Sequence, residues 1–379
     1  TPYHPFNMKT TIIQNSDVIS KDLSSRFQVL SENCQDDHIV QINVSGNLWE
    51  PLFRWMNADS RVFRDQPASV NRVTVGDLLS LGEIYGFLPV HWKVSKLTPF
   101  KTNWIPIQIR SLCRKLPIIK HFGVNISLTL YKSSSSPSGS NQSVSIVFPA
   151  RNESGNESLM RTALEKIKQS IPNAEIVIVE GNSTDDTYSV FSRIVSDYSS
   201  LLNIRIIQQD KRGKKNAVVC GFSKCTGDVF AIIDCDFTVD IDDSISAIRL
   251  ALDHPCAMIN CSRTIYPMQR KAMRWFNYIG NRVFALIVSF LADQSVSDSL
   301  CGTKIFTRRL YQLLLNDGSW LSKRDPFGDF TLIFGASNHS YRILNYPVRY
   351  YARLSGAPNI ARWTDGFKLL KVCLFQLLN

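Results

Sequence analysis

Residues 229–236 read Val-Phe-Ala-Ile-Ile-Asp-Cys-Asp. Five consecutive apolar residues, three of them β-branched, make the short continuous run expected of a strand covered on both faces. In extended backbone, residues two apart point the same way, so Asp234 and Asp236 share one side and Cys235 takes the other. Paired hard carboxylates at a strand end suit Mg2+ or Mn2+ carrying a substrate diphosphate. The same residues also fit an acidic turn closed by an Asx hydrogen bond, so the surrounding chain has to weigh one reading against the other.

Around this stretch the pattern alternates. Strands are expected over 144–150, 175–180, 204–208 and 228–233, and helices over 159–171, 185–198 and 214–224. Strand–helix alternation with such short connections predicts an α/β fold with a mainly parallel sheet, flanking helices and right-handed crossovers. Its ligand cleft belongs at the carboxyl ends of the strands. The polar clusters Pro149-Ala150-Arg151-Asn152-Glu153, Glu180-Gly181-Asn182 and Asp234-Cys235-Asp236 fall at those ends. The first strand is not followed by Gly-x-Gly-x-x-Gly, which argues against a dinucleotide-binding domain.

The segments 148–157, 180–187 (Glu-Gly-Asn-Ser-Thr-Asp-Asp-Thr), 213–217 (Gly-Lys-Lys-Asn-Ala) and 234–236, in this order, resemble a family 2 glycosyltransferase of the GT-A fold, a Rossmann-like nucleotide-diphospho-sugar transferase architecture. Cys261-Ser262-Arg263, Asp298-Ser299-Leu300-Cys301-Gly302-Thr303-Lys304 and Tyr350-Tyr351-Ala352-Arg353 are similar to later motifs of the polyprenyl- and dolichol-phosphate sugar transferases. The resemblance implies a metal-dependent, inverting hexosyltransferase that takes a nucleotide-sugar donor, with a polyprenyl phosphate among its acceptors. It assigns Pro149, Ala150, Arg151, Asn152, Glu153, Glu180, Asn182, Asp185 and Lys214 to the donor, and Asp234 and Asp236 to donor and metal (Mg2+ or Mn2+). Arg263, Lys304 and Arg353 become clamps for acceptor or donor phosphate. Lys211, Arg212 and Lys215 lie beside Lys214 and read as a solvated loop and helix start.

Two carboxylates are candidates for assisting the acceptor: Asp298, ahead of an expected strand and the first choice, and Asp329, at the start of an expected helix. There are departures from the pattern. Glu180-Gly181-Asn182-Ser183 stands where the family commonly has Asp-Asp-Gly-Ser, which leaves the nucleobase open. Gly356-Ala357-Pro358-Asn359 lacks the expected phosphate-contacting lysine, for which Arg362 is the substitute. The alternatives are a nucleotidyltransferase and a non-catalytic sugar-nucleotide-binding protein.

Bulk composition fits this reading. With 379 residues, 44% of them hydrophobic and 20% charged, the chain has room for two domains at about 100–200 residues each. A net charge of +11 favours anionic partners. In the absence of zinc-knuckle spacing and base-stacking motifs, nucleic acid is not expected among them. Nine cysteines without a Cys-x-x-Cys pair read as buried thiols in a reducing compartment. The expected location is cytoplasmic, peripheral on the inner membrane face. The apolar stretch 275–292, beside Arg270, Lys271 and Arg274, is either a core helix or an interfacial one; residues 367–375 share its mixed character.

A Ser-rich linker over 133–143 divides the chain into residues 1–132 and the glycosyltransferase-like 144–379. Within the first part, residues 43–56, 73–89 and 116–119 resemble the C-terminal half of class I methyltransferases. The strand and Gly-x-Gly loop of a cofactor-binding half are not seen upstream, so a partial α/β unit is expected there.

Overall fold

The computed structural model describes residues 10–13, 22–34, 39–45, 73–96, 125–132, 142–269, 272–273, 275–320, 325, 327–355 and 362–378. The chain divides into two compact units, one of Thr1–Pro137 with Thr264–Met268, the other of Ser138–Arg263 with Gln269–Asn379.

In the first unit, strands β1 (Thr10–Ile13), β2 (Ile39–Ser45), β3 (Phe87–Lys96) and β4 (Asn125–Lys132) form a sheet of order β1-β2-β4-β3. β1 and β2 run parallel; β2/β4 and β3/β4 are antiparallel. Helices α1 (Leu23–Asn33) and α2 (Val75–Ile84) accompany it. α2 opens on a reciprocal cap in which Asp77 N–H donates to Thr74 Oγ1 and Thr74 N–H to Asp77 Oδ2, satisfying donors that a helix start otherwise leaves orphaned. Phe27, Ile42, Leu78, Leu81 and Leu130 are fully buried here. Of the methyltransferase-like segments, 46–56 and 116–119 lie outside the described residues, as do 133–141 of the linker.

The second unit is built on a seven-stranded sheet. Its elements are β5 (Val144–Ala150), α3 (Glu157–Ser170), β6 (Glu175–Glu180), α4 (Thr187–Tyr198), β7 (Asn203–Gln208), α5 (Lys214–Lys224), β8 (Val229–Ile232), α6 (Ile241–Asp253), β9 (Ala257–Ser262), α7 (Trp275–Leu291), β10 (Lys304–Thr307), α8 (Arg308–Asn316), α9 (Asp329–Asn338), β11 (Arg342–Pro347) and α10 (Arg362–Leu378). The order is β11-β9-β10-β8-β5-β6-β7. All neighbours are parallel except β10, which runs antiparallel to both β8 and β9. Every residue of β6, β8 and β9 is buried; β8 and the Ile176–Val179 centre of β6 accordingly read as apolar runs, while β9 carries the buried Asn260.

Helix α5 packs unusually close. A Cβ at Gly221 would lie 2.7 Å from Val147 Cγ1 and 3.0 Å from Val179 Cγ2, so only glycine lets the helix settle on β5 and β6. Its Phe222 stacks on Phe230 of β8 at 4.5 Å and meets Phe306 of β10 edge-on at 5.4 Å, which fastens the antiparallel strand to the parallel ones.

Two features of this topology place the site. The strand order reverses between β5 and β8, and the crevice beyond their carboxyl ends is where open α/β sheets bind ligands. Because β10 is antiparallel, its first residue, Lys304, pairs with Ile232 at the end of β8. The segment leading into β10 therefore arrives at the same rim as the loops after β5, β6, β8, β9 and β11.

Candidate functional site

The loops after β5 and β6 brace one another. Asn152 and Asn182 both take left-handed backbone, with φ of 57° and 56°, which asparagine tolerates better than most residues. Asn152 N–H donates to Ser183 Oγ at 3.0 Å, and its Oδ1 accepts from Thr184 N–H at 2.9 Å. Glu180 Oε1 accepts from Ser183 N–H at 2.6 Å, and Asn182 Nδ2 reaches Gln209 O at 3.3 Å. Asp185 accepts from Ser154 Oγ at 2.7 Å and Thr187 N–H at 3.1 Å. Burial opposes the charge of Asp185, but these donors outweigh it and hold its carboxyl below the usual range. Pro149 and Ala150 are the last residues of β5, and Ala150 O accepts from Gly181 N–H at 2.7 Å. The structure thus joins Ala150, Asn152 and Ser154 of one loop to Gly181, Ser183, Thr184 and Asp185 of the other, while Arg151 Nε is buried there without a hydrogen-bond partner among the described residues.

The acidic pair is not in extended backbone. β8 stops at Ile232, and Asp234 O accepts from Phe237 N–H at 3.2 Å, with Phe237 at φ 46°. Asp236 Oδ1 accepts from Thr238 N–H at 3.2 Å and Oγ1 at 2.9 Å. The Asx turn is therefore present, and it presents both carboxylates: Asp234 and Asp236 are partly exposed while Cys235 is buried. Asn156, absent from the expected site, ties this turn to the first loop. Its Nδ2 donates to Glu153 Oε2 at 2.6 Å and Cys235 O at 3.2 Å.

Each carboxylate of the turn carries a cation. Lys214, at the start of α5, lies 2.7 Å from Asp234 Oδ1. Burial disfavours its charge, but Asp234 and Asp329 overcome that and raise its pKa well above the ordinary lysine value. The guanidinium of Arg353 contacts Asp236 and, at 3.3 Å, Glu153 Oε1. Arg353 is delivered there because residues 349–351 run beside 238–240, with Tyr351 N–H on Thr238 O at 2.8 Å and Asp240 N–H on Arg349 O at 3.1 Å. Glu153 is pushed up to about 7, chiefly by burial, with Arg353 opposing and Asp236 adding to the rise. Gly302 closes the cluster: a Cβ there would fall 2.1 Å from both Asp234 Oδ2 and Lys214 Nζ.

Behind this lies a buried polar network. Asp298 is fully buried. Its Oδ2 accepts from Arg263 N–H at 3.1 Å and Nε at 2.8 Å. Its Oδ1 accepts from Arg263 Nη2 at 2.9 Å, Asn281 Nδ2 at 2.8 Å and Leu300 N–H at 3.1 Å. Burial works against its charge and Arg263 more than compensates, so its carboxyl sits well below the usual range. Asp298 is thus saturated by five donors. Asp329 is buried too, but its ion-pair contact is the longer 3.7 Å to Lys304 Nζ. Its pKa is raised, by burial first, against the pull of Lys304 and Lys214.

Lys304 braces the same network. Fully buried, it donates to Asn260 Oδ1 at 3.0 Å and Cys301 O at 2.6 Å. Arg263 directs Nε and Nη2 to Asp298 and lies over the Tyr350 ring at 5.1 Å. Lys215 points elsewhere, to Thr331 Oγ1 at 3.3 Å and over Trp320. Residues 356–361 lie outside the described residues, as does the side chain of Arg362. Asn281 was visible in the sequence only as a polar interruption of an apolar stretch. Asn156 and Asn260 carried no local signal.

Among the described residues, no group of three or more His, Cys, Asp or Glu side chains converges on a cation site. Asp234 and Asp236 nonetheless supply two hard carboxylates on one partly exposed turn. That donor set fits Mg2+ or Mn2+ bound through one or two carboxylates and completed by substrate phosphates.

Residues 145–315 match the family model described as "Glycosyl transferase family 2". The low-salt glycan biosynthesis hexosyltransferase Agl6 of Haloferax volcanii is 22% identical over 242 residues, covering 62% of this chain and 53% of that protein. The dolichol-phosphate mannosyltransferase of Pyrococcus furiosus is 32% identical over 94 residues, 24% of this chain and 25% of that one. An undecaprenyl-phosphate 4-deoxy-4-formamido-L-arabinose transferase of Serratia proteamaculans is 20% identical over 174 residues, 46% of this chain and 51% of that one. The chain thus spans between 25% and 53% of these relatives' own lengths. Among solved structures, the mannosyltransferase PcManGT of Pyrobaculum calidifontis in complex with GDP-Man and Mn2+ is similar with a TM-score of 0.41 at 18% identity, over 60% of this chain and 61% of that one. Glucosyl-3-phosphoglycerate synthase of Mycobacterium tuberculosis gives 0.46 at 16% identity, over 62% and 78%. Residues 145–315, the part that matches family 2, hold the strands β5 to β10 and the polar loops between them, and their mainly parallel sheet is of the α/β kind that the GT-A resemblance implies.

Proposed function

We propose that this domain transfers a hexose from a nucleotide-diphosphate sugar to a polyprenyl phosphate, with inversion at the anomeric carbon and in dependence on Mg2+ or Mn2+. The observation that carries the reading is the meeting of Asp234, Asp236, Lys214, Glu153 and Arg353 at the rim where the strand order reverses.

Asp234 and Asp236 would hold the cation, which when bound neutralises the diphosphate and makes it a better leaving group. Lys214 and Arg353 already offset the two carboxylates, and both stand where a diphosphate would lie. The interlocked loops of residues 151–156 and 180–187 supply a rigid floor for base and ribose, so little ordering entropy is lost on binding. Asp329 takes the role of assisting carboxylate in place of Asp298. A phosphate monoester keeps its second proton up to a pKa of about 6. Asp329, with a pKa raised by burial, is suited to accept that proton as the phosphate oxygen attacks.

The test is a transfer assay with UDP- and GDP-hexoses, a short-chain polyprenyl phosphate and Mn2+. Release of nucleoside diphosphate together with a lipid-linked sugar supports the reading. Release of pyrophosphate points to nucleotidyl transfer, and turnover that is unchanged in chelator contradicts the metal role.

A further inference from the structure

Helix α7 carries two opposite faces. Its inward side includes Tyr278, Asn281, Ala285 and Val288, all buried, and through Asn281 it grips Asp298 at 2.8 Å. Its outward side presents Phe276, Ile279, Val283, Leu286 and Phe290 to solvent, with Phe276 83% and Phe290 73% exposed. These positions recur at alternating steps of three and four, so they form a single stripe along the helix. Helix α10 packs beside α7 and repeats the arrangement. Leu369 and Cys373 are buried, while Phe367, Leu370, Leu374 and Leu377 are exposed. Large apolar side chains gathered on one surface mark an interaction site.

Charge identifies the occupant. α7 reads Trp-Phe-Asn-Tyr-Ile-Gly-Asn-Arg-Val-Phe-Ala-Leu-Ile-Val-Ser-Phe-Leu and contains no Asp or Glu. α10 has the single acidic residue Asp365 against Arg362, Lys368 and Lys371. Lys368 and Lys371 are exposed on the same outward side of α10 as its apolar residues, where long stems can lie along apolar surface and lift their ammonium groups to a headgroup layer. A second copy of this chain would set these cations against their own kind. An anionic surface would complement them. Among the described residues no helix is long and apolar enough to cross a membrane. Each of the two helices has 17 residues, or about 25 Å at 1.5 Å per residue, and their one-sided exposure suits lying in an interface.

We infer that the outward faces of α7 and α10 together dock onto an anionic bilayer, in the headgroup plane, without spanning it. This goes beyond the proposed transfer reaction and does not depend on it. Its consequence is positional: the helix that touches lipid on one side holds the Asp298–Arg263 pair on the other, so docking brings that edge of the site to the membrane.

The test is co-sedimentation of the full chain with vesicles of phosphatidylcholine alone and with roughly one-third phosphatidylglycerol, whose negative surface attracts nearby Lys and Arg side chains. Donor binding by calorimetry and sedimentation velocity without lipid accompany it. Binding to the anionic vesicles is expected, weakening with salt. F276S/F290S, which alters only exposed side chains, should reduce the bound fraction at least about 10-fold, and K368E/K371E should remove the preference for anionic lipid. Both variants should keep the thermal midpoint and donor affinity of the parent. Absence of sedimentation with anionic vesicles at low salt overturns the inference. So does a concentration-dependent dimer that F276S/F290S abolishes, since that would assign the face to a second copy. Loss of donor binding in the unmodified chain would count against the transferase reading and leave the vesicle result standing.

Discussion

Glu153 and Arg353 lie 200 positions apart in the chain, yet Arg353 Nη1 meets Glu153 Oε1 at 3.3 Å while Nη2 holds Asp236. One guanidinium thereby joins the loop after the first strand of the second unit, the acidic turn after the fourth, and the segment after the last.

Replacing that fork with a point charge separates geometry from charge. In R353K one ammonium cannot serve both carboxylates with paired donors. Donor affinity should fall by roughly 10- to 100-fold, measured by calorimetry. Unchanged affinity in R353K would show that Arg353 supplies charge alone.

Gly302 is a second lever. A methyl group there would occupy the space of Asp234 Oδ2 and Lys214 Nζ. Overpacking of this kind costs about 1–3 kcal/mol, and here it should fall on the ion pair. G302A is expected to weaken donor binding more than it lowers the urea midpoint of unfolding. The reverse order of effects would place Gly302 in fold stability instead.

Asp298 and Asp329 should respond in opposite ways. D298N leaves Arg263 buried without its counter-charge and should cost about 3–5 kcal/mol of stability. D329N should leave stability closer to the parent and lower turnover. If Asp329 accepts the last proton of a phosphate acceptor, that deficit is largest near pH 6 and shrinks by about pH 8, where the phosphate is already a dianion. A deficit constant with pH would remove the proton-accepting role.

The pH dependence of folding has a separate marker in Glu175. Burial opposes its charge, but Ser145 Oγ, Thr226 N–H and Arg205 donate to it and hold its pKa below the ordinary value. A depressed folded pKa means stability is fully present above the unfolded value of about 4.3 and is lost as pH falls through the folded one. The parent should therefore lose more stability than E175Q between pH 5 and pH 3, read from urea midpoints at each pH. Parallel curves would contradict this.

The strands β5, β6 and β8 could be read directly because burial on both faces leaves apolar runs such as Ile176–Val179, whereas β7, at the sheet edge, is mostly half-buried. Helix starts shifted by up to two residues, as at Thr187, where Asp185 and Asp186 form the entry turn. The direction of β10 was not legible. Four residues, Lys304–Thr307, carry no local sign of running against their neighbours, and their orientation comes from packing beside Phe222 and Ile232. The polar loops after β5, β6 and β8 followed from short local motifs. The state of Asp298 did not, because its saturation depends on Arg263 and Asn281, which the fold brings from 35 and 17 positions away. A motif names a residue without showing what already occupies its oxygens.

The account turns on the acidic turn, and calorimetric titration of UDP- and GDP-hexoses in Mn2+ and in chelator tests it most directly. The parent should bind one of them with an affinity that requires the metal, and D234N/D236N should abolish that requirement together with most of the binding. Equal affinity in chelator, or metal-dependent binding that survives in D234N/D236N, would contradict the assignment.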